Sequence, residues 1–332
     1  MPISRQWLLN AHPRGRPVTA NDFRLVSRDI AGPAEGQLLL CTRYLGFDPA
    51  QKGWMENIAD YVAPMAIGDV MRGSAISEVV ESRHADFAPG DLVIGTTGWT
   101  EWHRSDGSGL DKVTTALPPT AALSILGTTG LTAWCGLFKS GKPRPGDTVL
   151  VSGAAGATGS IVGQLARVAG ARAVGIAGGP EKCRWLIEEA GFDAAIDYRD
   201  AELADRIREH CPDGADVVFD NVGGAVLDAM LGGIATGARV VLCGGISRHE
   251  AGGLPQGPRN YFNLVFRRAS MAGFIVLDSA DDFPAIRARL ERLVLSGRLS
   301  YREDIQEGFG NAPATLMRLF SGQNRGKQLL KL

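Results

Sequence analysis

Residues 148–164 read Thr-Val-Leu-Val-Ser-Gly-Ala-Ala-Gly-Ala-Thr-Gly-Ser-Ile-Val-Gly-Gln, a β-branched apolar run that enters a glycine-rich turn and opens directly into an amphipathic helix. Gly153, Gly156 and Gly159 recur at every third position. That spacing lets the chain turn tightly after a strand, brings backbone N–H groups close to a pyrophosphate and packs the helix against the sheet. Small residues in such a turn can also be purely structural. A further strand expected at residues 173–177 supplies the strand-helix-strand context that a dinucleotide fingerprint requires. Gly156, Ala157, Thr158 and Gly159 are then the expected phosphate contacts.

The pattern around this turn predicts an α/β fold. Strands are expected at 148–152, 173–177, 194–197, 216–220, 239–243 and 270–276, with helices between the first five, which describes a doubly wound parallel sheet. Ahead of it, short apolar runs at 36–43, 76–81 and 91–94 are broken by Gly and Pro, the habit of a compact, mostly-β domain. Pro118-Pro119 closes that region, and 121–137 reads as mainly helical, interrupted at Gly127 and Gly130. Residues 282–296 form a last amphipathic helix with Phe283, Ile286, Leu290, Leu293 and Val294 on one face. From Gly297 the tail reads as strand and is expected to return to the first domain. The expected division is 1–124 with 297–332 as one domain and 125–296 as the nucleotide domain, in keeping with a length of 332 residues.

Formal net charge is −1, so no global basic field exists to hold nucleic acid or an anionic membrane. No apolar run approaches a membrane span and no signal-like segment opens the chain, so a cytoplasmic protein is expected. Cys41, Cys135, Cys183, Cys211 and Cys243 are odd in number and scattered, as reduced thiols would be. None of His12, His84, His103, His210 and His249 pairs with a cysteine at ligand spacing; each is expected on the surface or in a loop, and no metal site is expected.

The end of the second strand bears on which dinucleotide is bound. It reads Ile176-Ala177-Gly178-Gly179-Pro180, with no acid to accept hydrogen bonds from ribose hydroxyls. Lys182 and Arg184 follow in the next helix, where a cation can meet the 2′-phosphate of NADP(H); the other reading is a solvated helix face partly offset by Glu181.

A wider set of segments carries a family resemblance: Phe47-Asp48-Pro49, Asp69-Val70-Met71-Arg72-Gly73, Val79-Val80-Glu81-Ser82, Phe87-Ala88-Pro89-Gly90-Asp91, Gly130-Leu131-Thr132-Ala133, 151–163, Gly191-Phe192-Asp193, Phe219-Asp220-Asn221-Val222-Gly223-Gly224, Cys243-Gly244-Gly245-Ile246-Ser247, Gly273-Phe274-Ile275-Val276 and Asn324-Arg325-Gly326-Lys327. Over nearly its whole length the chain resembles the zinc-independent medium-chain dehydrogenases/reductases, within them the leukotriene B4 12-hydroxydehydrogenase/prostaglandin reductase group with its bacterial curcumin reductases and plant alkenal double-bond reductases. The resemblance implies a Rossmann sheet plus a GroES-like mostly-β catalytic domain, NADP(H) as cofactor and a homodimer whose sheet continues across a two-fold axis through the strand near 270–276. It places Lys182 and Tyr198 at the 2′-phosphate and Asn221 near the cofactor. It also sets Cys243, Gly244, Gly245, Ile246 and Ser247 along the nicotinamide side, and Phe274, Ile275, Val276 and Asn324 at its carboxamide and ribose. Read without the resemblance, 274–276 is equally a buried strand.

Zinc alcohol dehydrogenases on this scaffold carry a Gly-His-Glu segment, whereas residues 68–73 here read Gly-Asp-Val-Met-Arg-Gly. Without a Lewis acid for an alkoxide, hydride addition to an activated C=C bond of a small α,β-unsaturated ketone or aldehyde is the expected reaction. Tyr261, in Pro258-Arg259-Asn260-Tyr261-Phe262, is the candidate hydrogen-bond donor to the carbonyl oxygen; the other reading is a packing aromatic. A quinone or carbonyl reductase, or a non-catalytic NADPH-binding protein, would share the same cofactor signals. Tyr44, Trp54 and Arg72 are candidate pocket residues. Gln51-Lys52, Ser74-Ala75-Ile76-Ser77, Thr128-Thr129 and Trp102 depart from the group's usual residues and are expected to reshape the substrate site.

Overall fold

The computed structural model describes residues 2–199, 202–249 and 256–332. The chain separates into two compact units, 1–124 with 303–332, and 125–302. The first segment holds β1 (Ile3–Leu9), β2 (Phe23–Asp29), β3 (Leu38–Gly46), α1 (Ala50–Glu56), β4 (Ala75–Ser82), β5 (Leu92–Gly95), β6 (Trp102–Ser105) and β7 (Asp111–Lys112). These short strands are separated by turns; β1 and β2 form a two-stranded sheet, and β1 makes single bridges to Val70 and Thr100.

The second unit runs α2 (Thr128–Cys135), β8 (Thr148–Ser152), α3 (Ala157–Val168), β9 (Arg172–Ala177), α4 (Pro180–Glu188), β10 (Ala194–Asp197), α5 (Leu203–His210), β11 (Ala215–Asp220), α6 (Gly224–Leu231), β12 (Ile234–Leu242), α7 (Asn263–Phe266), β13 (Ser270–Gly273) and α8 (Phe283–Leu295). Its six strands are all parallel, in the order β10-β9-β8-β11-β12-β13. Val149, Leu150, Val151, Val174, Val218 and Val240 are buried, the continuous apolar signature of strands covered on both faces. Ile207 of α5 and Leu227, Met230 and Leu231 of α6 close one side of this core; α3 packs on α2, which in turn packs on α8.

The tail then rejoins the first unit as β14 (Glu303–Glu307), α9 (Ala312–Phe320) and β15 (Lys327–Lys331). It completes a seven-stranded sheet in which β14-β15-β3-β4-β5-β7 follow one another and β6 pairs with β3. Trp99 is fully buried in the adjoining core, stacked on Phe23 at 5.4 Å between centroids, with Phe47, Met55, Leu316 and Leu330 around it.

Several expectations are corrected. The tail contains a helix, α9, rather than strand alone: Ala312, Thr315, Leu316 and Leu319 are buried at helical spacing. Residues 297–302 stay with the second unit, where Ser300 donates its N–H to Gln164 Oε1 at 2.8 Å and accepts from Gln164 Nε2 at 3.0 Å. The sixth strand stops at Gly273, because the Phe274 ring turns inward against Gly136 and Phe219. β12 begins at Ile234, five residues early, and the register shift against β11 absorbs the excess. His103 is partly buried and stands on a strand, not in a loop. It lies on β6 with both ring nitrogens shielded and unpartnered, and burial pushes its pKa down to about 4. Among the described residues no helix is long and apolar enough to cross a membrane.

Candidate functional site

The strand order puts β8 beside β11 although their crossovers lead away in opposite directions. The carboxyl ends of such a pair bound a crevice, the place where ligands enter open α/β sheets. α3 starts there. Its N-cap, Gly156, offers no side-chain cap, so the first-turn N–H groups of Ala157, Thr158 and Gly159 are left for an anion. Gly159 must lack a side chain: a Cβ would stand 2.8 Å from the Ala154 Cα. The helix dipole therefore comes as close to the crevice as the backbone allows.

Across the crevice, β11 ends in a polar knot. The buried Asp220 carboxylate accepts from Ser152 Oγ at 2.6 Å and from the N–H groups of Val222 and Gly223 at 3.1 and 2.9 Å. Burial raises its pKa, and these three donors work against the rise. Ser152 Oγ accepts the Asn221 N–H at 2.8 Å, and Asn221 Nδ2 donates to the Ser152 carbonyl at 2.7 Å. The loop after β12 is clasped to the same turn. Cys243 and Gly244 donate to the Asp220 carbonyl, Ile246 to that of Asn221, and Ser247 Oγ to that of Val222 at 2.6 Å. Gly156 through Gly159, Asn221 and Cys243 through Ser247 are thus gathered at one sheet edge. The Cys243 thiol is pushed up to about 12 by burial and by the facing Asp220 carboxylate, so it is a protonated packing group and not a nucleophile.

The ends of β9 and β10 meet one strand further out. Tyr198 donates its N–H to the Ala177 carbonyl at 3.0 Å, and its ring lies against Gly178, 2.7 Å from where a Cβ would be. Lys182 is the third residue of α4, whose N-cap is Gly179. The guanidinium of Arg199 lies 6.0 Å from the Tyr198 ring centroid, a neighbour that sequence reading passed over. Its only signal in the chain was a cation two residues past a strand end.

Residues 274–276 follow the carboxyl end of β13. Phe274 spends its side chain on packing, which leaves backbone and the half-exposed Ile275 and Val276 for a ligand. Tyr261 is 58% exposed, in a loop that Asn260 ties to Asp228 and Asn263 ties to the Leu231 carbonyl, both along α6. In the first unit, Asn324 sits ahead of β15 and donates to the Gly326 carbonyl. Trp54 Nε1 donates to Tyr61 Oη at 3.3 Å, and the Arg72 guanidinium lies 6.0 Å from the Trp54 ring with Nη1 buried and unpartnered. Tyr44 instead packs on Ile76, Leu123 and Leu329. Gln51 and Lys52 are buried as structural groups: Gln51 accepts the Asp48 N–H and donates to the Arg72 carbonyl, and Lys52 pairs with Glu56 at 3.0 Å. Ala75 and Ser77 are likewise core residues of β4, so their effect on a substrate pocket is indirect at most. Among the described residues no group of three or more His, Cys, Asp or Glu could hold a metal ion.

Comparison with known proteins bears on this geometry. Residues 5–113 match the family model described as the N-terminal domain of oxidoreductase, and 157–292 the one described as zinc-binding dehydrogenase. The NADPH-dependent curcumin reductase of Escherichia coli is 39% identical, over 99% of this chain and 97% of its own. The chain belongs to the zinc-independent medium-chain dehydrogenase/reductase family. Within this medium-chain reductase family, the NADP(+)-dependent 2-alkenal reductase of Nicotiana tabacum is 37% identical over 98% of this chain and 97% of its own. CurA of Vibrio vulnificus, solved in complex with NADPH, superposes with a TM-score of 0.93 at 39% identity over 98% of both chains. The Rossmann and mostly-β units are those of the family.

Proposed function

We propose that this protein is an NADPH-dependent reductase that adds hydride to the β-carbon of an α,β-unsaturated ketone or aldehyde without zinc. One observation carries the reading. The second strand of its nucleotide sheet ends in Gly178-Gly179 with no acid at its own tip, while Lys182 lies in the first turn of α4 and Tyr198 against Gly178, in a chain akin along its length to NADPH-dependent curcumin and 2-alkenal reductases.

The residues present fit NADP(H). The free first turn of α3 receives the pyrophosphate, Lys182 and Tyr198 take the 2′-phosphate, and the Asn221 turn with the 243–247 loop flanks the nicotinamide side. Ile275 and Val276 offer further backbone contacts to the carboxamide. When bound, NADPH supplies the hydride. The protein's part is to orient the substrate and to hydrogen-bond the carbonyl oxygen as it gains enolate charge. Tyr261 can serve as that donor: its exposed hydroxyl makes no hydrogen bond with a described residue.

The decisive assay follows NADPH consumption over enones, enals and quinones, with product identification and a chelator arm. Saturated ketone or aldehyde products that form at an undiminished rate in chelator support the reading. Loss of activity in chelator, or turnover of quinones alone, overturns it. Tyr261→Phe is expected to lower kcat about 100-fold with KM for NADPH unchanged, and full turnover would move the donor role elsewhere. The scattered free cysteines suit the reducing cytoplasm. We place a homodimer contact at β13, an edge strand whose four residues are all exposed.

A further inference from the structure

A further cation stands beside Tyr198 at the Gly178-Gly179 turn. Arg199 follows β10, and Asp197 Oδ1 accepts its backbone N–H at 3.0 Å, which fixes the direction in which the side chain leaves the strand. The guanidinium lies over the Tyr198 ring, and one terminal nitrogen comes within 3.1 Å of where a Cβ on Gly179 would stand. Gly178 and Gly179 have no side chains, so this fork hangs over bare main chain at the mouth of α4, the helix that carries Lys182 at its third position. Arg199 is exposed and forms no ion pair with a carboxylate among the described residues.

We propose that Arg199 is a second cofactor-selecting cation, which grips the 2′-phosphate of NADPH from its place over Tyr198 and Gly179. A planar guanidinium can give two parallel N–H···O bonds to a phosphate dianion, whereas a ribose hydroxyl offers it neither charge nor a matching pair of acceptors. Stacking on Tyr198 limits the rotamers of the fork, so less freedom is lost when the phosphate arrives. The inference rests on NADPH being the cofactor.

The deciding readout is binding, with no turnover required. Calorimetric affinities for 2′,5′-ADP and 5′-AMP are measured on the wild type, Arg199→Gln, Arg199→Lys and Lys182→Ala, and KM for NADPH and NADH is measured alongside. Arg199→Gln is expected to weaken 2′,5′-ADP about tenfold while 5′-AMP is unchanged, and Arg199→Lys to recover part of the loss. Equal weakening of both ligands would mean that the side chain stacks on adenine or supports the fold, and would overturn the proposal. So would no change in either. A wild type that does not prefer 2′,5′-ADP sinks the NADPH reading itself. A preference abolished by Lys182→Ala but untouched by Arg199→Gln sinks only the role of Arg199.

Discussion

His103 is a neutral imidazole held where a charge cannot be solvated. Its folded pKa of about 4 lies below the ordinary 6.5, so the unfolded chain takes up the proton first as pH falls. Stability is therefore full above about pH 6.5, declines as the pH drops toward 4, and levels off below that after a loss of about 3 kcal/mol. His103→Phe is expected to flatten this limb in urea melts taken across the range; parallel wild-type and variant profiles would contradict it. Gly163 shows a different residue-scale conflict. Alanine in a helix interior is normally favoured by about 1 kcal/mol, yet a Cβ here would run into the Phe192 ring. Gly163→Ala is expected to cost about 2 kcal/mol, with Phe192→Leu restoring part of it in a double-mutant cycle. Neither effect was legible beforehand. His103 was expected on the surface or in a loop because no cysteine stands at ligand spacing from it, and nothing local reveals that it pairs with Leu40 on β3.

The parallel strands were legible because each is an apolar run bounded by glycine or charge, and burial on both faces demands that pattern. β8 and β10 coincide with their expected limits, while β12 and β13 do not. Their ends are set by a register shift and by the inward turn of the Phe274 ring, both of which depend on residues far away in the chain. α9 was missed although its apolar spacing was present, since the flanking strand-like segments dominated the reading of the tail. The junction of β8, β11 and α6 depends on Asp220. Asp220→Ala strips the partner from a buried hydroxyl and two N–H groups, and is expected to cost about 3 kcal/mol. Because the same knot seats Asn221, KM for NADPH should rise as well. A melting curve and an NADPH titration check the two effects separately, and a variant with wild-type stability would show that the knot contributes nothing.

At the scale of the whole molecule, β13 is the open edge of the six-stranded sheet, with Met271 exposed on it and Ile275 and Leu277 exposed just beyond. An unpaired edge of this kind invites a second copy. Light scattering is expected to give about 70 kDa, twice the 35.2 kDa chain, and Ala272→Pro to give the single-chain mass with the second unit still folded. A wild type that runs as a single chain would remove this interface. Periodicity, glycine spacing and the missing acid after the second strand were enough for the Rossmann sheet, its phosphate-binding turn and the candidate Lys182, because each is a short-range pattern written in neighbouring residues. The placing of Arg199 over Tyr198, the clasp of 243–247 on the Asp220 turn, and the burial of Gln51, Lys52 and His103 came only with the folded chain. Arg199 takes its place against the Gly179 turn and the 243–247 clasp against the Asp220 turn, each about twenty residues or more away, and burial is set by packing and desolvation, which no local pattern encodes.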